Sequence, residues 1–526
     1  MLDTIVTYAP NWTSDFTWLL VVAFIFAFWV SYGMGANDSC NDWGPAVGAG
    51  TVKLWQAYVL CGIFNTLGAV LLGYKVTETL RSGIVDPSIF DVYAAYNHST
   101  NSYQVVDHCG NATLTAGYRP PAISNDTVPV ECAKYTSADF IVGQTGAMCG
   151  VAAFMVVSSI YKIPVSATHA IVGGSLAASL YLRGNVGINW SEVINIVISW
   201  FVSPVIAGII SAAFYIAVKF TVLIRPDTFK AALHACPVFM MITLTINLYA
   251  CIFDGSKYLG FDKLNSWQAF LVSLGAGVLG WIVLTFPLKN WLKNRANRLF
   301  NEEQRKEQIR LEKGIVKEKQ SKKVTDMRTP DVDLETAKNL PWYKFFYCSV
   351  PEERLTTKVF NALQIVSSSM LSFTHGANDT GNTVGPLLAV WLCYQTGYAF
   401  TAAETRDDSQ ILLAFGAIAM IFGFVTLGHR TIKLIAKEIT VDMSPISGFC
   451  IEVGTAFTVL VCVKLGIPVS STHCAVGAVL FVGLAKSTSE GVSFATFRKI
   501  VIVWLLCFPV SAVIGVATTM VLIRFV

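Results

Sequence analysis

Charge is what this sequence has least of. Asp, Glu, Lys and Arg make up 14% of its 526 residues, against about 25% in an ordinary soluble domain, and the mean hydropathy is +0.55. A chain so poor in charge is a membrane protein. Its start, MLDTIVTYAPNWTSDF, has no Lys or Arg, and few occur inside the apolar runs. No CxxC spacing is present to hold a metal. There is no HExxH motif and no nucleophile elbow, so the Ser, His and Asp residues are not placed for intramembrane hydrolysis. The first apolar run is too long for a cleavable signal and reads as a retained span. The formal charge of +4 says little about partners, and no nucleic acid is expected.

What the chain has instead is apolar runs of helix-spanning length, about 20 residues for roughly 30 Å of hydrocarbon. They cover 16–34, 54–73, 140–161, 163–182, 193–222, 237–253, 267–288, 359–394, 411–427, 446–463, 467–484 and 500–523. This pattern predicts an all-α polytopic fold with about 12 transmembrane segments. Between 289 and 358 the sequence is dense in Lys and Arg, with RKEQIRLEKGIVKEKQSKK at its centre. The positive-inside bias places that loop in the cytoplasm and the N-terminus outside; its basic residues are also suited to anionic lipid. The polar loop at about 74–139 carries sequons at Asn97, Asn111 and Asn125, which favour an extracellular, glycosylated face. Cys109 and Cys132 share that loop and suit a disulfide there. Most of the other eleven of thirteen cysteines lie in apolar segments as small buried hydrophobes.

Three signatures occur twice and in the same order. GANDSCNDWGP, from Gly35, pairs with GANDTGNTVGP, from Gly376; GYKVTETL, from Gly73, pairs with GHRTIKL, from Gly428; and IPVSATH, from Ile163, pairs with IPVSSTH, from Ile467. The first copy is entered from outside and the second from the basic loop, so equivalent helices run in opposite directions. This is an inverted repeat broken by Gly and Pro at corresponding positions, the pattern of a secondary transporter with a midplane site in broken or re-entrant helices. The expected organisation is a first repeat over 1–222, connecting helices over 223–288, a basic cytoplasmic loop over 289–357 and a second, inverted repeat over 358–526. About seven crossings before that loop and five after it leave both termini outside.

The two GANDxxN motifs, the paired PVSxTH motifs and the segment ITVDMSPISGFCIEVGTAF resemble the inorganic phosphate transporter (PiT) family, in particular its eukaryotic sodium-dependent symporters. The resemblance covers both repeats. It implies a plasma-membrane carrier that imports phosphate with sodium, needs no cofactor beyond that coupling ion, and has phosphate, sodium and membrane lipids as its partners; a homodimer is admitted.

The residues read consistently with this. Asp38 and Asp379, with Asn41 and Asn382 three positions on, offer hard oxygen ligands to a small cation such as sodium, and the neighbouring Gly and Pro residues are placed to free backbone carbonyls. An ionisable group at such a depth costs at least about 2.5 kcal/mol and is retained for function. Glu452 matches the family pattern and is a further sodium candidate. In IPVSATH and IPVSSTH a Pro precedes hydroxyls that open an apolar helix, whose N-terminal N–H groups and dipole suit an oxyanion. Ser166 and Thr168 with Ser470, Ser471 and Thr472 are thus phosphate candidates. Gln144 joins them because an amide can donate to an oxyanion. His169 and His473 are expected to position the re-entrant turns by a hydrogen bond. His375, with Met34 in the other copy, and Asp42, with Thr383, have no repeated counterpart and are expected to pack or cap locally.

The sequence departs from the family where Glu is common: Asn65 stands in GIFNTLGA and Gln144 in GQTGAM. Both carry no charge, which keeps proton coupling on the same fold as the alternative driving ion. A phosphate receptor or sensor with little net transport is the other alternative.

Overall fold

The computed structural model describes residues 12–97, 102–107, 137–253, 255, 259–312, 349–399, 406–434, 443–486 and 494–526. Asn111, Asn125, Cys109 and Cys132 lie outside them, as does 313–348 of the basic loop, and of Asn97 the backbone alone is described. Nine helices among the described residues are long and apolar enough to cross a membrane.

The first half runs through α1 (Trp12–Asn37), α2 (Ser39–Gly48), α3 (Leu54–Leu72) and the short α4 (Tyr74–Glu78), which continues as a π turn over Thr79–Gly83. It continues with α5 (Ser137–Ile160), α6 (Ala167–Arg183) and α7 (Trp190–Val218). Then come α8 (Thr228–Ile252), α9 (Ser266–Thr285) and the charged α10 (Lys289–Glu312). The second half holds α11 (Arg354–Val359), α12 (Asn361–Thr396), α13 (Arg406–Gly423), α14 (His429–Leu434), α15 (Pro445–Lys464), α16 (Ser471–Lys486) and α17 (Phe494–Leu522).

Of the dozen expected spans, α6, α12 and α16 fall outside the nine. Helices α6 and α16 have 17 and 16 residues, because each is entered through an extended Ile-Pro-Val-Ser strip. Helix α12 is 36 residues long but buries Gln364, Ser367, Ser368, Ser372, Thr374, His375, Asn378, Asp379 and Asn382, so it is too polar to face lipid. Its polar residues must be enclosed by other helices. One expectation fails here: neither GAND copy ends its helix, since Asp38, between α1 and α2, keeps helical φ −88° and ψ −38° and bonds from its N–H to the Met34 carbonyl, and the second copy lies within the unbroken α12. Proline still acts in both copies. Pro45 and Pro386 lie inside their helices and have no N–H for the carbonyl four residues back, which belongs to Asn41 in one and Asn382 in the other. A second departure is an antiparallel hairpin, Val92–Asn97 with Ser102–Asp107, in what reads as an irregular polar loop.

The two halves are interlocked. Helix α1 packs on α13 and α12 on α3, while α6 packs on α17 and α16 on α7, so each of these contacts crosses between repeats. Glycine permits the closest of them. A Cβ at Gly68 would lie 1.7 Å from the Phe373 carbonyl oxygen, and its repeat mate Gly423 would meet the Tyr32 oxygen at 1.8 Å. Gly68→Ala therefore has to push α3 off α12, and we expect it to lower stability by about 3 kcal/mol, read as a reduced melting temperature in detergent.

The loops before the two re-entrant helices show the same symmetry. Gly466 has φ 70°, and at the equivalent position Lys162 has φ 60°. A side chain in that left-handed conformation costs roughly 1–2 kcal/mol. Lys162→Gly should raise stability by up to about 1 kcal/mol, measured by the same melt.

Candidate functional site

The GAND motif of each half meets the PVSxTH motif of the other. Asn41, on α2, donates from Nδ2 to Thr472 Oγ1 at 3.0 Å, and its mate Asn382, on α12, donates to Thr168 Oγ1 at 3.3 Å. Asn37 clamps the first re-entrant strip, donating to the Ile163 carbonyl at 2.8 Å and accepting from Val165 N at 3.1 Å. Asn378 does the same for the second strip through the Val469 carbonyl at 2.7 Å. Asn41 and Asn382 are thus cross-braces between the halves, while Asn37 and Asn378 each tie a GAND segment to the re-entrant strip of its own half.

The carboxylates converge on one of the two helix ends. Thr472 donates to Asp38 Oδ1 at 3.2 Å, and Ser471 donates to Asp379 Oδ2 at 2.5 Å. Asn378 Nδ2 donates to the other Asp379 oxygen. Asp38 and Asp379, expected to face one cavity, are both 2% exposed and share a cluster with His375 in which ligand atoms lie within 4.8 Å of one another. Such a hard-oxygen pair at a buried point suits a small cation.

His375, expected to pack or cap locally, lies between two carboxylates. Its Nε2 lies 2.6 Å from Asp379 Oδ2, off the ring N–H direction, and its Nδ1 lies 3.3 Å from Asp42 Oδ2. Asp42 also accepts from Ser372, which in turn accepts from Trp43 Nε1. The residues absent from the other repeat therefore link the first GAND segment to α12. The low hydropathy of 361–382 was the signal in the sequence that this stretch lines something polar.

At the re-entrant ends, Ser166 and Ser470 accept from the backbone N–H of His169 and His473, each at 3.3 Å, so both cap their own helices. Thr168 donates to the Val469 carbonyl at 3.1 Å. His169 Nδ1 is 3.3 Å from the Trp504 carbonyl oxygen and His473 Nδ1 is 3.3 Å from that of Trp200. The hydrogen bonds expected to position these turns are present, and they too cross between halves.

Two candidates stand apart. Glu452, on α15, accepts from Ser367 at 2.5 Å and from Gln364 Nε2 at 3.3 Å. Ser367 is twelve residues before Asp379 on α12, about 18 Å along a helix, so Glu452 forms a separate polar centre. Gln144, on α5, is buried with its Oε1 unpartnered, and among the described residues it shares no hydrogen bond with the GAND or PVSxTH side chains.

A profile of the phosphate transporter family matches residues 34–515, from the first GAND copy to near the end of α17. The chain belongs to the phosphate transporter family. Within this transport family, sodium-dependent phosphate transporter 1-A of Danio rerio is 28% identical, with 96% of this chain and 94% of that protein covered. Sodium-dependent phosphate transporter 1 of Homo sapiens is 26% identical, covering 99% and 98%. A solved structure described as the sodium-dependent phosphate transporter superposes with a TM-score of 0.70 at 25% identity, over 97% of this chain and 100% of that one. Its architecture agrees with the membrane-embedded, inverted-repeat fold built above.

Proposed function

We propose that this protein imports inorganic phosphate together with sodium, by alternating access around the Asp38–His375–Asp379 centre. It is a multi-pass membrane transporter and not an enzyme. Relatives over nearly the whole chain bear the name sodium-dependent phosphate transporter, and the observation that carries the mechanism is that both carboxylates take their hydrogen bonds from hydroxyls of one helix end.

Sodium is assigned to Asp38, Asn41, Asp379 and Asn382, with Glu452 as a separate cation position. Phosphate is assigned to Ser166, Thr168, Ser470, Ser471 and Thr472, with Gln144 nearby on α5. The geometry suggests how the two ligands are coupled. While the carboxylates are bare, Ser471 and Thr472 are committed to them and negative charge repels the oxyanion. Sodium neutralises the carboxylates and releases the hydroxyls to donate to phosphate, so each ligand favours the other by the same free energy. One face of the centre is bridged between the halves. Thr79 donates to the Gly466 carbonyl at 2.7 Å and Lys75 to that of Lys464 at 3.3 Å, and α4 and its π turn lie against Gly381 and Gly385 of α12. The charge bias puts that face outside, and these contacts would have to part for the centre to open there.

A plasma-membrane location with both termini outside, glycans at Asn97, Asn111 and Asn125 and a Cys109–Cys132 disulfide belong to the same reading. The test is radiolabelled phosphate uptake by the purified full chain in proteoliposomes, with an imposed sodium gradient in one arm and an imposed proton gradient in the other. Uptake is expected to follow sodium and to saturate. Accumulation driven by acid alone, in sodium-free medium, would replace sodium with protons; binding of phosphate without flux would leave a receptor.

A further inference from the structure

Away from the transport centre, a cavity of about 760 Å³ opens between the end of α7 and the start of α8. Its wall is apolar and low in relief, with Ala217, Ala231, Ala235 and Val238 among the residues lining it, and Val238 is exposed on the outer surface. Its rim is basic. Arg225 and Lys230 line it and are exposed, and so does His234. His234 Nδ1 faces the Lys230 carbonyl at 2.8 Å, which assigns the ring hydrogen to that nitrogen and leaves Nε2 to accept from Lys289 Nζ at 3.3 Å. The ring thus brings a third cation to the rim. The acid at this rim, Asp227, is engaged at its own helix end, where Oδ1 accepts from Lys230 N at 2.8 Å.

Position selects the ligand. Helix α9 ends beside the start of α8 and leads into α10, the beginning of the basic loop, so the rim lies on the face that the charge bias makes cytoplasmic. That is the leaflet in which anionic phospholipids concentrate, and each basic residue near its surface is worth about 1 kcal/mol. A free phosphate ion would use the cations but not the apolar wall. A lipid uses both, with its headgroup phosphate at the rim and an acyl chain along the alanine groove.

We propose that this cavity is a binding site for an anionic phospholipid of the cytoplasmic leaflet, held by Arg225, Lys230 and Lys289. The site also touches the transport machinery: Phe239, on its floor, packs against Phe449 of α15 and Phe360 at the head of α12, with ring centroids 6.0 and 6.4 Å apart. A lipid seated here braces the helices that carry Glu452 and Asp379.

The test is native mass spectrometry of the full-length protein released from vesicles of phosphatidylcholine containing phosphatidylserine, with retained anionic lipid counted. The variant Arg225→Gln/Lys230→Gln/Lys289→Gln should lose it, about fivefold in affinity for each cation removed. Arg298→Gln removes one charge from the neighbouring α10, where Arg298 pairs with Glu302 at 3.1 Å, and should retain it. Equal retention by the triple variant and the wild type overturns the proposal. So does equal loss in Arg298→Gln, which would mean unspecific charge attraction, or displacement of the lipid by millimolar inorganic phosphate, which would assign the rim to the free ion. The readout is binding, so it stands or fails independently of the transport reading.

Discussion

Asp379→Asn should abolish sodium-driven phosphate uptake. The substitution keeps the size of the side chain and an oxygen to accept from Asn378, and its amide N–H can donate to the Ser471 hydroxyl that donated to the carboxylate, so the fold has little reason to change. What it removes is the charge that recruits the cation. Removing one charged partner from a buried, hydrogen-bonded ion contact costs about 2–5 kcal/mol of binding, so uptake into proteoliposomes should fall about a hundredfold at matched protein incorporation. Asp38→Asn should behave alike, since Thr472 serves Asp38 as Ser471 serves Asp379. Phosphate itself discriminates the coupling argument from simple loss of sodium. If bare carboxylates hold the hydroxyls back, the variants should still bind phosphate weakly, and that binding should no longer depend on sodium. Undiminished sodium-driven uptake by both variants would remove the carboxylate-centred mechanism.

The two repeats differ in what they let the sequence reveal. Asp38 with Asp379, Asn41 with Asn382 and the two PVSxTH motifs were legible because each occurs twice, and a polar residue that is costly in an apolar run is kept in both copies only where both copies use it. The same logic discounted His375 and Asp42, which have Met34 and Thr383 as their counterparts. In the fold those unshared residues face each other across the centre, since the first GAND segment crosses α12. Nor could periodicity show that Asn41 reaches Thr472 rather than Thr168: pairing across repeats 431 residues apart follows from the interlocking of the halves, which no local pattern encodes. The unbroken course of α12 was hidden for a different reason. Gly and Pro signal a break in an isolated helix, but here close packing against α3 and α5 holds the helix together.

His375→Gln tests the asymmetric part of the centre, and its expected effects have opposite signs in the absence and presence of sodium. The imidazole lies against Asp379 Oδ2, the oxygen that Ser471 also occupies, while Asn378 takes the other oxygen. A sodium ion reaching Asp379 must therefore displace the ring or the hydroxyl. Without sodium, the variant leaves Asp42 and Asp379 buried and short of a partner, and it should melt several degrees lower, for a loss of about 3 kcal/mol. With sodium, the competitor is gone: half-saturating sodium should fall about tenfold, and the rise in melting temperature on adding sodium should exceed that of the wild type, because a ligand stabilises by RT ln(1 + [L]/Kd). Maximal uptake should drop even so, because a cation held more tightly leaves more slowly on the cytoplasmic side. A residue that only filled space would move the sodium-free melting temperature and leave the sodium dependence where it was. That outcome would return His375 to packing and leave the two carboxylates to bind sodium without an internal competitor.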